Sequence, residues 1–125
     1  MVTRVFPMWP SPERLITFSE VLRLVGDNEW DWTILDLNGT GPLPHGMSWD
    51  QLDEHVEATP YVVDWPGLVE FADSVVQVTD AVVVATLEGE EVARIEAFDS
   101  SEWTVCVDAV GDLDDRITCL LHGAS

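Results

Sequence analysis

Lysine is absent from this chain, and five arginines stand against 24 aspartates and glutamates, which gives a formal net charge of −19 over 125 residues. The shortage of cations argues against direct nucleic-acid binding, because that affinity comes largely from neutralising phosphates with Lys and Arg. It argues against membrane docking too, since an anionic surface is repelled by anionic lipid headgroups. Two cysteines, Cys106 and Cys119, are too few for a disulfide framework, so we expect reduced thiols and a cytoplasmic protein. Long apolar runs are also missing. The longest uninterrupted one is Ala81 to Ala85, far short of the roughly 20 residues that span a bilayer. Met1 to Arg14 carries Pro7, Pro10 and Pro12 and no apolar stretch resembling a signal-peptide core.

What is present is enough for a core. A hydrophobic share of 46%, with six tryptophans and four phenylalanines, separates the chain from acidic disordered sequences. The length suits one domain, 1–125. A compact domain this charged repels itself, and a strongly basic partner or a very salty solvent are the simplest reasons to tolerate that. Arginine-only basic usage, with many Ala, Val, Asp and Gly, fits a GC-rich bacterial genome; excess Asp with little Lys also fits a halophile.

The periodicity predicts four helices and four strands. Ser11-Pro12-Glu13 and the Thr17/Glu20 capping box are competing starts for a first helix within 12–25, which Gly26 ends. Trp30 to Leu37 alternates as a strand and is broken by Asn38-Gly39-Thr40-Gly41-Pro42. Ser48, with Gln51 three residues on, caps a second helix whose apolar stripe is Trp49, Leu52 and Val56. A short third helix starts near Asp64-Trp65-Pro66. From Val75 the period becomes that of strands: Val75 to Leu87, Val92 to Phe98 and Trp103 to Val107, joined by turns at Glu88-Gly89-Glu90 and Asp99-Ser100-Ser101. A last helix runs from about Asp112 to Leu121. Grouped strands with helices outside the group indicate the α+β class, an antiparallel sheet of three to four strands covered by helices.

Chemical motifs are weak throughout. Cys119-x-x-His122 has a half-site spacing, but a zinc site needs three or four ligands and no second pair appears. Cys106, mid-strand, and Cys119, on the apolar side of a helix, are expected in the core. The aspartates of 108–115 miss a calcium loop, with Leu113 where glycine belongs and Cys119 where glutamate belongs. Asp99-Ser100-Ser101 lacks the Gly-x-Ser-x-Gly elbow, and Gly39-Thr40-Gly41 does not open a helix as a phosphate loop does. We therefore expect no enzyme, no metal and no cofactor.

The sharpest local feature is the helix 48–58. Asp50, Asp53, Glu54 and Glu57 fall at i, i+3, i+4 and i+7 and share one face. The like-charge pairs at i,i+4 each cost about 0.2–0.5 kcal/mol, and Glu57 opposes the helix dipole at about 0.3–1 kcal/mol. An acidic solvated face explains this stripe, and so does a docking surface for a basic groove. Trp30, Trp32, Trp49, Trp65 and Trp103 each have an acidic neighbour. Trp30, beside Asp31, and Trp65, both at element edges, are the ones expected to be partly exposed and to join the four helix carboxylates in binding a partner.

Leu68 to Asp80 (LVEFADSVVQVTD) and Ile95 to Val105 (IEAFDSSEWTV), before a short final helix, resemble the immunity-protein type found beside polymorphic toxins. The resemblance implies a cytoplasmic, non-enzymatic protector that binds one basic toxin or effector domain, and it carries over no functional residues. A mimic of DNA that titrates a basic DNA-binding protein, and a small ligand-binding domain or enzyme of a halophile, stay open beside it. The halophile alternative alone requires molar salt for folding. Monomer and homodimer both stay open.

Overall fold

The computed structural model of the chain describes residues 2–108 and 112–122. Part of the aspartate-rich 108–115 stretch, 109–111, lies outside the described residues. Among those described are six strands, β1 (Val2–Pro7), β2 (Asp31–Thr40), β3 (Tyr61–Val63), β4 (Gln77–Leu87), β5 (Glu90–Phe98) and β6 (Glu102–Val107). The four α-helices are α1 (Phe18–Val25), α2 (Trp49–Ala58), α3 (Trp65–Ser74) and α4 (Leu113–Leu121). The strands form one sheet in the order β1-β6-β5-β4-β2-β3, with every neighbouring pair antiparallel.

The α+β class stands, but the sheet has six strands rather than three to four. The two unexpected strands are its edges. β1 sits in the proline-bearing N-terminal segment, where Arg4 and Pro7 obscure the alternation; proline is tolerated there because an edge strand can do without one ladder donor. β3 is three residues long, too short for a period to show.

Local chemistry sets the helix starts. At α1 the Thr17/Glu20 capping box prevails, while Ser11 to Arg14 folds into a turn closed by the Arg14 N–H on the Ser11 carbonyl. Gly26, at φ +82°, ends the helix. At α3 the Asp64 carboxylate accepts from the Gly67 N–H at 2.8 Å, with proline in the first turn.

Alternation then divides the sheet into two faces. Phe6, Trp32, Ile34, Leu37, Ala81, Val83, Ala85, Ala93, Ile95, Ala97, Trp103, Val105 and Val107 form the buried face, together with the buried sides of α1, α3 and α4. Two fully buried tryptophans join the layers. Trp103 lies 5.7 Å from Phe18 of α1 and donates its indole N–H to the Ile16 carbonyl. Trp32 lies 5.6 Å from Trp65 of α3 and donates to Asn28.

A bulge makes this division possible in β2. Pairing runs Ile34 to Val83 and then Asp36 to Val82, so Leu35 is the extra residue. Without it a strict period of two would bury Asp36 and expose Leu37; with it Leu37 is buried and Asp36 turns to the opposite face. A second shift, between Ala85 and Thr86, brings Glu91 to the face that carries Arg94.

Close approach matters at Gly39, where the second irregularity of β2 lies. A Cβ there would fall 2.2 Å from the Gln77 carbonyl oxygen. Gly39→Ala should therefore part β2 from β4 locally and destabilise the fold by about 1–3 kcal/mol, read as a lowered urea midpoint.

Candidate interaction surface

Helix α2 is held firmly. The Ser48 hydroxyl accepts from the Gln51 N–H at 3.1 Å, and the Gln51 side chain accepts from the Ser48 N–H at 2.9 Å. Leu52 is fully buried, and the Trp49 indole N–H donates to the Gly41 carbonyl at 3.0 Å. Near the other end, the His55 ring lies 4.2 Å from Tyr61, which in turn meets Phe71 edge-on. These contacts fix the rotation of the helix, and Asp50, Asp53, Glu54 and Glu57 all lie exposed.

Among the described residues, none of those four carboxylates has an ion-pair partner. Among the described residues Arg4 pairs with Asp114, Arg14 with Glu20, Arg94 with Glu91 and Glu96, and Arg116 with Asp112. Four of the five arginines are thus used to tie β1 to α4, the N-terminal turn to α1, and neighbouring side chains on β5 and α4, while Arg23 lines the cleft between the helices. The acidic stripe of α2 is left uncompensated.

The other expected site residues separate from it. α2 runs beside the second half of β2, with Trp49 at Gly41 and His55 at Tyr61, the residue paired with Ile34. Trp30 and Asp31 are at the far end of β2. Asp31 is exposed there, while Trp30 is half-buried against Trp32. Trp65 is not partly exposed as expected: it is 8% exposed, packs on Trp32 and donates its indole N–H to Asp27. Its place as the first residue of α3 turns it into the helix–sheet interface. The exposed tryptophan is Trp9, at 39%, in the loop after β1.

The cysteines also differ from expectation. Cys106 is half-buried on the sheet face away from the helices, where its sulfur accepts from the Thr3 hydroxyl, and Cys119 is exposed on α4. In α4 the buried positions are Leu113, Ile117 and Leu120, which leaves Cys119 outside that stripe. Among the described residues no group of three or more His, Cys, Asp and Glu is arranged to hold a metal ion, and no helix is long and apolar enough to cross a membrane. A cleft of about 500 Å³ between the helices is lined by Arg23 and Arg116 but also by Asp27 and Asp73. Its charges balance, and its carboxylates are engaged with the Trp65 indole and the Ser19 hydroxyl.

Sequence reasoning missed a second acidic region. Asp36, Asp80, Glu96 and Glu102 surround a shallow depression of about 350 Å³ on the sheet face opposite the helical layer. The bulge at Leu35 hides Asp36 from a simple period, whereas the alternation of β5 was a usable signal for Glu96. Burial raises the Asp36 carboxyl above its ordinary 3.8, and the nearby charges of Asp80 and Asp53 push it the same way. Asp53 thereby connects the α2 stripe to the sheet carboxylates electrostatically.

A carboxyl whose pKa is raised by folding binds more protons in the native state. It weakens the fold progressively as pH rises from the unfolded value through the folded one, and the full penalty is present at neutral pH. Asp36→Asn should therefore raise the melting temperature at pH 7 and lose that advantage below about pH 3, where both forms are neutral; thermal denaturation at the two pH values measures it. No family model, curated protein or solved structure matches this chain.

Proposed function

We propose that this chain is an acidic inhibitory binding protein of the cytoplasm, an immunity protein or antitoxin that neutralises a basic toxin or effector, such as a nuclease, without chemistry of its own. The observation that carries the reading is the α2 stripe. Asp50, Asp53, Glu54 and Glu57 are exposed and, among the described residues, lack cationic partners, on a helix fixed by its cap and by Leu52. Carboxylates presented in this way take the places of substrate phosphates in a cationic active site, and inhibition follows from occlusion. The long-range field of a −19 surface steers a basic partner and makes association fast and sensitive to salt. The resemblance of the C-terminal half to immunity proteins supports the same class.

The test begins with capture of bound proteins from the native host at low salt. The reading requires one basic protein, recovered at 1:1, whose activity this chain abolishes. Replacing Asp50, Asp53, Glu54 and Glu57 by lysine should slow association with that partner at least ~10-fold at low ionic strength, with the circular dichroism spectrum retained. Unchanged association by a folded variant would remove α2 from the site. Many basic proteins eluting together at modest salt would instead support a mimic of DNA.

A further inference from the structure

The sheet face away from the helical layer carries apolar groups as well as carboxylates, and the register orders them. One row crosses four strands as Val82 (β4), Glu96 (β5), Thr104 (β6) and Val5 (β1), with Asp36 beside Val82. In the next row Phe98 faces Glu102, which faces Pro7. Phe98 is 65% exposed and Val5 57%. With neighbouring strands about 4.8 Å apart and successive same-face rows about 7 Å apart along them, Phe98 and Val5 stand roughly 12 Å apart, close enough for one partner surface to cover both.

We infer that this uncovered face of β4, β5, β6 and β1 docks a basic protein, with Phe98 as the apolar anchor and Asp36, Asp80, Glu96 and Glu102 receiving the partner's guanidinium and ammonium groups. The inference rests on the basic-partner reading above and assigns that partner a second, anchoring contact. Charge complementarity selects the occupant. Arg94 is the cation of this face, and it is already bound between Glu91 and Glu96. A second copy of this chain would bring the same carboxylates against these, and nucleic acid or an anionic bilayer would bring phosphates; each is repelled. A basic protein satisfies both the carboxylates and the exposed apolar side chains.

The backbone that follows Phe98 is also held in place. Phe98 precedes a tight turn in which Asp99 and Ser100 both have positive φ, 48° and 54°. That turn is pinned by the Asp99 N–H on the Asp80 carboxylate, the Ser100 N–H on the Thr79 carbonyl and the Met8 N–H on the Ser101 carbonyl, at 3.0, 2.8 and 2.9 Å. An anchor whose backbone is fixed before binding loses less entropy on association, and aromatic anchors dominate interface energies.

The test uses two synthetic probes, an octa-arginine peptide and the same peptide with its two central arginines replaced by leucine, titrated into the isotope-labelled chain at 50 mM salt. Amide shifts should centre on Val82, Glu96, Phe98 and Thr104. The leucine-bearing peptide should bind about 5-fold more tightly despite its lower charge, and Phe98→Ala should abolish that gain. Glu96→Gln combined with Glu102→Gln, which preserves shape, should weaken both peptides. Only small changes in melting temperature are expected, since Phe98 and Glu102 lie outside the core and the Arg94–Glu96 pair lost in Glu96→Gln is partly exposed. Shifts centred on α2, shifts spread evenly over the surface, or a leucine gain that survives Phe98→Ala would overturn this docking face; the first of these leaves the basic-partner reading standing. Binding of neither peptide would sink both.

Discussion

Burial of one sheet face beneath α1 and α3 is the interaction on which the rest of the molecule depends, because it must hold 24 carboxylates and five arginines in one compact body. The scale of the opposing terms explains why it can. Fully burying a large apolar side chain contributes about 1.5–3 kcal/mol, whereas an exposed like-charge pair on a helix costs about 0.2–0.5 kcal/mol and is screened by salt. Trp32 and Trp103 are both completely buried with their indole N–H groups satisfied, so neither loses a donor on leaving water. Each such residue outweighs several repulsive contacts at the surface. The surface charge is therefore free to follow other requirements.

Two bulges then decide which charges share a face. The extra Leu35 exchanges Leu37 for Asp36 at the core, and the shift beside Thr86 aligns Glu91 with Arg94. Neither irregularity adds an acidic residue. Each rotates one that is already in the strand, and together with plain alternation in β5 and β6 they place carboxylates on the side the helical layer leaves uncovered. An antiparallel sheet can present one face to water, so this arrangement asks nothing unusual of the backbone. What it determines is the sign of that face.

The same physics accounts for what could be read from the sequence. Helix caps act through neighbouring residues, and Ser48 with Gln51 and Asp64 with Gly67 behave as their spacing implies. The competing start at Ser11 fails because that segment turns back, with the Ile16 N–H donating to the Met8 carbonyl, a contact between residues eight apart that no local pattern encodes. Edge strands are similarly hidden. β1 exists because β6 pairs with it across roughly the whole chain; Val2, Thr3, Val5 and Phe6 favour a strand, but Arg4 and Pro7 break the alternation that would reveal it. The α2 carboxylates were legible since helical spacing alone puts them on one face. Asp36, Asp80 and Glu102 were not, because their meeting depends on a bulge and on pairings between distant segments. Trp65 misled for the opposite reason: an edge position in sequence became an interior position once α3 folded onto Trp32.

Charge by itself selects poorly among partners. In water two unit charges 10 Å apart interact by only about 0.4 kcal/mol, and salt at physiological strength screens them over about 8 Å. Many carboxylates summed in this way attract any basic surface and discriminate little. Discrimination needs short-range contact by groups that are apolar, exposed and already ordered. Most of the aromatic residues cannot supply it, because the indoles of Trp32, Trp49, Trp65 and Trp103 are tied to acceptors within the fold, while Phe6, Phe18 and Phe71 are buried. Trp9 and Phe98 are the aromatic rings with large exposure. Of these, Phe98 sits among carboxylates at a turn bonded to β4, so attraction and discrimination converge on the sheet. In the proposed complex, α2 contributes the field that brings a basic partner within reach, and the sheet face provides the contact by which one basic surface is preferred over another.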